Sequence, residues 1–387
     1  MRIAVFIKST TFHKGYGGLE TQNRTLCEGL AKKGFDVTVF SPKGDVEFEE
    51  KENEGVKYVF VNAHYKRYIF SAIDKESWYK KSFGEFMKIH QKNPFDLVLS
   101  QSASAESIID NKGSLGVKVI SVAHGTAASE FMTFLKNASS LKAFYWILRN
   151  TQYFLRQFFG RQRKYILHSD RVIAVSNFVK QALINETFVS EDKVDVIHNG
   201  VDPKSFPVSS SSQGGKVSLL FLGRVEKSKG IFTILDIVKT MKPDFYLYVV
   251  GDGPDIEKAR KSSPRNVVFH GRISYPDFVR CIRPDIFVFP TQRIEGFPMV
   301  LVESMFVGLP IVAFDLGGVC DAVEDGKTGY LVKAKDNSDF RKKLEDLMQN
   351  PERRVEMGSN AKEKALREFT TDKMIESYLK VIDEVLK

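Results

Sequence analysis

Short apolar runs separated by polar, helix-patterned stretches recur along the whole chain. Residues 3–7 are apolar, Gly15, Gly17 and Gly18 follow in a loop, a helical stretch runs to Lys33 where Gly34 closes it, and residues 36–40 alternate as a strand. Strand, loop, helix and strand in some forty residues is a βαβ unit. Further strands are expected at 56–61, 96–100, 117–121 and 171–175, with helical segments between several of them. Alternation of this kind implies a parallel sheet flanked by helices. The texture changes near Pro207, where four serines from Ser209 precede Gln213, Gly214 and Gly215, a linker or surface loop. Beyond it the rhythm restarts with runs at 217–222, 245–250, 267–270, 285–290, 311–314 and 330–332, and from Asn337 the pattern is helical to the end. The expected class is α/β, with two Rossmann-like doubly wound domains in tandem.

Length and composition agree with that division. A chain of 387 residues suits two domains, each with its own core, and 43% apolar with 27% charged residues is the balance of a soluble globular protein. Cys27, Cys281 and Cys320 have neither metal-ligand nor redox spacing and read as buried thiols in a reducing compartment. The opening Met-Arg-Ile-Ala-Val-Phe-Ile turns polar at Lys8, too soon for a signal peptide, and no apolar run reaches the roughly 20 residues that span a bilayer. A cytoplasmic protein is expected. The net charge of +9 is uneven: residues 1–200 carry 28 Lys and Arg against 21 Asp and Glu, and residues 131–169 carry seven cations and no carboxylate.

In doubly wound sheets ligands bind beyond the carboxyl ends of the strands, so the residues after each strand carry the chemistry. After 217–222 come Arg224 and Lys229, five residues apart in a loop entering a helix. A planar fork and a compact charge there suit a diphosphate, or else a solvated charged turn. Glu295 and Glu303 straddle a strand-to-helix turn. Pro298 suits the first helical position and Gly308 the exit, predicting a helix over 298–307 with Glu295 in the loop and Glu303 inside. Among Val300, Leu301, Val302 and Met305, Glu303 has little polar company, and a carboxylate so placed needs a partner that donates hydrogen bonds. The N–H groups of Phe297, Met299 and Val300 at the helix start favour an anionic or hydroxyl-rich ligand. This segment reads as a site for a phosphorylated polyol, or as two ordinary glutamates on an ordinary helix. His124 follows 117–121 as a ligand or as a satisfied structural histidine. Gly251-Asp252-Gly253-Pro254 reads as a structural turn. Gly15-Tyr16-Gly17-Gly18 is not a dinucleotide fingerprint, since Glu20 stands at the third glycine position, yet it lets a phosphate or an acceptor approach backbone N–H groups.

Taken in order, these pieces resemble the nucleotide-sugar-dependent glycosyltransferases of the GT-B fold known as family 4, glycosyltransferase group 1. The resemblance covers nearly the whole chain. Its carriers are Gly17-Gly18, His124-Gly125, Val175-Ser176, the run Ile197-His198-Asn199-Gly200-Val201-Asp202, Gly223-Arg224 with Lys229-Gly230, Gly251 to Pro254, Phe269-His270-Gly271, and Glu295 through Glu303. The ordered set is specific, whereas single pieces are not. The resemblance implies two domains facing across a cleft, an N-terminal acceptor domain of residues 1–189 and a C-terminal nucleotide-sugar domain of residues 190–370. A final helix, 371–387, packs back on the first domain, and the cleft closes on donor binding. Arg224 and Lys229 match cations on the donor diphosphate, and Glu303 the carboxylate on the ribose. Glu295, with Gly296, Phe297, Pro298 and Met299, matches the grip on the transferred sugar. Arg272 and Ile273 stand where the family contacts the base, Gly17 and Gly18 match a loop over the diphosphate, and His124 lies near the reacting sugar. The family retains anomeric configuration without an enzyme nucleophile. No Asp-x-Asp pair occurs in the chain, so the paired cations are expected to do the work of a metal, and no cofactor is expected.

Acceptor recognition is expected from the N-terminal half. Between Phe131 and Tyr165, Phe134, Phe144, Tyr145, Trp146, Phe154, Phe158 and Phe159 interleave with Lys136, Lys142, Arg149, Arg156, Arg161, Arg163 and Lys164. The stretch suits an anionic membrane surface, or a helix with its aromatics in the core. No nucleic-acid module is present. The partners implied are a uridine or guanosine diphosphate sugar and a lipid-linked or polysaccharide glycan acceptor. Two other classes fit the scaffold: a nucleotide-sugar epimerase and a non-catalytic binding protein.

Overall fold

The computed structural model describes residues 1–64, 76–137, 151, 154–206, 215–273 and 282–387. The chain divides into two units. The first comprises residues 1–131, 140–200 and 371–387, and the second residues 132–139 and 201–370.

The first unit is built on an eight-stranded sheet. Its strands are β1 (Arg2–Phe6), β2 (Asp36–Pro42), β3 (Glu50–Asn53), β4 (Val56–Val61), β5 (Leu97–Gln101), β6 (Lys118–Ala123), β7 (Arg171–Ala174) and β8 (Val194–Val196), in the order β3-β4-β2-β1-β5-β6-β7-β8. All pairings are parallel except β3 with β4. Strands buried on both faces must be apolar almost throughout, and β1, β5 and β6 are. The order reverses between β1 and β5, which makes the carboxyl ends of these strands the switch point of this sheet. The last helix, Thr371–Leu386, packs on the helix Gly18–Lys32. The approach is close enough that a Cβ on Gly29 would sit 2.5 Å from Ile375. Met374 Sδ accepts hydrogen bonds from Gly200 N–H and from the Gln22 amide.

The crossover expected near Ser190 falls later. Val194–Val196 pairs with β7, so the first unit runs to Gly200. A three-residue Val-Asp-Val strand is too short to announce itself by periodicity.

The second unit holds a six-stranded, wholly parallel sheet of β9 (Val217–Leu222), β10 (Phe245–Val250), β11 (Val267–Gly271), β12 (Ile286–Phe289), β13 (Ile311–Asp315) and β14 (Gly329–Lys333). Their order, β11-β10-β9-β12-β13-β14, is that of a dinucleotide-binding doubly wound sheet. Leu219, Phe221, Leu235, Leu247, Ile286, Phe314 and Phe340 share one core beneath it, with the rings of Phe314 and Phe340 edge to face at 5.1 Å. The switch point is between β9 and β12, so the loops leaving these two strands meet at the carboxyl edge. The serine-rich stretch, Ser209 to Gly214, lies outside the described residues. Among the described residues no helix is long and apolar enough to cross a membrane.

Candidate functional site

The loop after β9 is held in place by glycines at which a Cβ would run into backbone. A Cβ on Gly230, at φ +84°, would lie 1.9 Å from the Pro290 carbonyl oxygen at the end of β12, and one on Gly251 would lie 1.9 Å from the Gly223 carbonyl oxygen. Gly251 to Pro254 is thus a structural turn that supports the loop. Gln292 N–H donates to the Ser228 carbonyl at 2.9 Å, tying the loop after β12 to the loop after β9. Across this seam Lys229 Nζ donates to Glu295 Oε1 at 2.5 Å, with the two side chains 25% and 13% exposed. Arg224 on the same loop is 67% exposed, and the ion pair that engages it is a 3.5 Å contact with Glu226. It is free to turn toward an anion.

Glu295 is fixed through its backbone. It bridges to Gly317, and its carbonyl accepts from Gly318 N–H at 2.8 Å. Phe297 is buried, its ring edge to face with Phe369 at 5.4 Å. Pro298 is not the first helical residue: at φ −78° and ψ 109° it is the extended N-cap, and the helix is Met299–Phe306. Its ring suits either position, and the first turn of backbone N–H groups still begins at this point. Glu303 lies in the second turn. Desolvation pushes its pKa up to about 7, and among the described residues nothing donates a hydrogen bond to it. Arg272, exposed, and Ile273 follow β11, two strands from β9 on the same carboxyl edge.

Gly17, Gly18 and His124 belong to the first unit. Gly17 is the N-cap of the helix Gly18–Lys32, and its N–H donates to Glu20 Oε2 at 2.9 Å. An anion at this turn therefore competes with Glu20 for that N–H. His124 follows β6, and its Nε2 is 2.7 Å from Gln101 Oε1. Desolvation pulls its pKa down to about 4, leaving the ring neutral at pH 7.

Two family descriptions match consecutive parts of the chain: Glycosyltransferase Family 4 over residues 16–205 and Glycosyl transferases group 1 over residues 204–364. The chain belongs to the family 4, group 1 glycosyltransferases. It is accordingly a transferase enzyme. This glycosyltransferase is similar to two uncharacterized glycosyltransferases of Methanocaldococcus jannaschii. One is 30% identical over 222 residues, 56% of this chain and 60% of the relative, and the other 24% identical over 399 residues, 96% and 95%. It is also 26% identical over 238 residues to the capsular polysaccharide biosynthesis glycosyltransferase CapM of Staphylococcus aureus, covering 56% of this chain and 62% of CapM. The match thus spans about three fifths of two of these relatives and nearly all of the third. Among solved structures, sucrose-phosphate synthase from Thermosynechococcus elongatus superposes with a TM-score of 0.78 at 20% identity over 99% of this chain and 98% of that one. HepE of Anabaena, in complex with UDP-glucose, gives 0.72 at 16% identity over 99% and 100%. At such identities these likenesses establish the fold, which is GT-B.

In this glycosyltransferase the structure gathers Arg224, Lys229, Glu295, Gly296, Phe297, Pro298, Met299 and Glu303 on the loops and helix that follow β9 and β12. Sequence reasoning missed the residues that hold them. Gly317 and Gly318 secure Glu295, and Gln101 with Asn23 secures His124. A polar residue closing an apolar strand, as Gln101 closes β5, was the available signal. Of the aromatic and cationic stretch, residues 138–150, with Phe144, Tyr145, Trp146, Lys142 and Arg149, lie outside the described residues. Two of its cations serve internal pairs, Arg161 with Glu106 and Lys164 with Asp110, each at 2.5 Å. Phe131 stacks on Phe154 at 4.4 Å, while Phe159 is 65% exposed.

Proposed function

We propose that this glycosyltransferase transfers a sugar, with retention of anomeric configuration, from a uridine or guanosine diphosphate sugar to a hydroxyl of a lipid-linked or polysaccharide acceptor in cell-envelope glycan synthesis. The observation that carries the reading is the convergence at the β9/β12 switch point of two cations, an ion-paired carboxylate, a helix start and a carboxyl group to which no described residue donates. CapM's role in capsular polysaccharide and HepE's complex with UDP-glucose support the acceptor and donor classes.

In this reading the second unit holds the donor. Arg224 and Lys229 take the diphosphate oxygens, and Lys229 exchanges its bond to Glu295 for one to phosphate. Glu295 is then able to accept from the sugar's hydroxyls beside the backbone of residues 296–299. The ribose hydroxyls give Glu303 the donors it lacks among the described residues, and Arg272 and Ile273 meet the base. From the first unit, Gly17 and Gly18 serve the diphosphate and His124 the transferred sugar. As the bond from the anomeric carbon to the diphosphate breaks, negative charge grows on the leaving phosphate, where prearranged cations are worth most. The leaving oxygen takes the acceptor's proton on the same face, so no enzyme nucleophile forms a bond. The paired cations supply the charge a metal would otherwise bring. The enzyme works in the cytoplasm, at the inner face of the cell membrane when its acceptor is lipid-linked.

The test is nucleoside diphosphate release from a panel of uridine and guanosine diphosphate hexoses, with envelope glycan acceptors added and the product anomer read by NMR. Release that depends on acceptor, with a product of the donor's configuration, is expected. Conversion of the donor to an epimer without transfer, or no reaction with any donor, contradicts the reading.

A further inference from the structure

His124 does not stand alone at the end of β6. Gln101, the last residue of the neighbouring strand β5, lies beside it, and the Gln101 side chain is engaged at both ends: Oε1 is 2.7 Å from His124 Nε2, and Nε2 donates to Asn23 Oδ1 at 2.9 Å. Asn23 comes from the helix Gly18–Lys32 that leaves β1, so three neighbouring strands of the sheet, β1, β5 and β6, each send one member to the chain of contacts. Gln101 is 2% exposed and Asn23 1%, so neither is a surface group passing by. The Gln101 backbone is pinned as well, its carbonyl accepting from Ser104 Oγ at 2.6 Å.

The chemistry of these contacts has a direction. An amide oxygen only accepts, so the His124 nitrogen facing it must carry the proton. With the ring neutral, the other nitrogen then holds a lone pair, and among the described residues nothing donates to Nδ1. We propose that Gln101, oriented by Asn23, is a positioning residue for His124: it accepts the Nε2–H, fixes that tautomer, and leaves Nδ1 as a hydrogen-bond acceptor for a hydroxyl of the transferred sugar. The proposal rests on the placement of His124 at the sugar given above, and toward that sugar it makes the ring an acceptor of a hydroxyl hydrogen bond, neither a cation nor a donor. The partner that orients a histidine also sets which nitrogen works.

The experiment is a long-range proton–nitrogen correlation spectrum of the full-length protein with ring-labelled histidine, the His124 signals being assigned by their loss in His124→Gln. A protonated Nε2 and an unprotonated Nδ1 between pH 6 and 8 are expected. In Gln101→Met, which keeps the shape and loses both bonds, the two tautomers should mix and kcat should fall about tenfold to a hundredfold, the size of loss known for the orienting partners of metal-bound histidines. Gln101→Glu keeps an acceptor oxygen, so it should retain the tautomer while moving the His124 titration, and the acid limb of the pH–rate profile, upward. Nδ1–H in the wild-type spectrum overturns the proposal without recourse to any variant. So does a Gln101→Met protein with wild-type tautomer and wild-type kcat. If instead His124→Gln itself turns over normally while the wild-type tautomer is as stated, the placement of His124 at the sugar is what fails, and the hydroxyl-accepting role falls with it.

Discussion

Lys229 and Glu295 share a hydrogen bond of 2.5 Å although 66 residues separate them, and the bond joins the two loops that flank the switch point of the second sheet. Each is the other's partner here. In the proposed complex Lys229 turns to phosphate and Glu295 to hydroxyls. Lys229→Met should therefore lower kcat/KM roughly a hundredfold to a thousandfold, the loss expected on removing one prearranged group from developing charge. In a double-mutant cycle with Glu295→Gln, thermal unfolding of the free protein should show a coupling of about 1–3 kcal/mol. That coupling should shrink when nucleoside diphosphate is saturating, and a coupling unchanged by nucleotide would contradict the exchange.

Glu303 gives a pH signature whose sign is set by burial. Its pKa in the fold, about 7, lies above the ordinary value of 4.5, so its neutral form stabilises the free protein. That contribution is fully present below pH 4.5 and is lost as pH rises through about 7. Ribose hydroxyls favour the ionised form, so donor binding should release a proton near neutrality. Calorimetry at pH 7 in two buffers of different ionisation enthalpy should show this release in the wild type and not in Glu303→Gln. Equal proton release by the two proteins would remove Glu303 from the donor site.

Two glycines separate backbone need from habit. Gly230→Ala places a Cβ 1.9 Å from the Pro290 carbonyl oxygen at a φ of +84°, and should cost about 1–3 kcal/mol while weakening nucleotide binding, because the loop that carries Lys229 must move. Gly113→Ala, inside the helix Glu106–Leu115 with nothing within 4 Å of the added methyl, should stabilise by about 0.5–1 kcal/mol and leave binding alone. Urea unfolding of the two variants beside the wild type reads both effects.

Most strands of the two sheets were legible because a parallel strand buried on two faces is an apolar run, and β1, β9 and β12 are such runs. Glu303's isolation was legible for the same reason, its neighbours in the helix being apolar. Glu50–Asn53 was not, because an exposed, polar edge strand carries no apolar signal and exists through its antiparallel pairing with β4. The order of strands was beyond periodicity, and with it every contact that the order creates. Lys229 with Glu295, Gly230 against Pro290 and Gln101 with Asn23 all depend on which strands lie side by side. Sequence spacing says where each residue sits along its own strand and loop, not which neighbour it will meet.

A donor site built from Arg224, Lys229, Glu295 and Glu303 should reveal itself as ligand-induced stabilisation of the fold. Thermal unfolding should be followed with uridine, guanosine and adenosine diphosphates and their sugars, in the wild type and in Arg224→Ala and Glu303→Ala. A ligand that binds the native state alone at a hundred times its Kd adds about 2.7 kcal/mol of stability. A raised Tm with uridine or guanosine diphosphate and its sugar is expected, absent from both variants although each remains folded. No shift with any nucleotide, or a shift that survives both substitutions, would contradict that donor site.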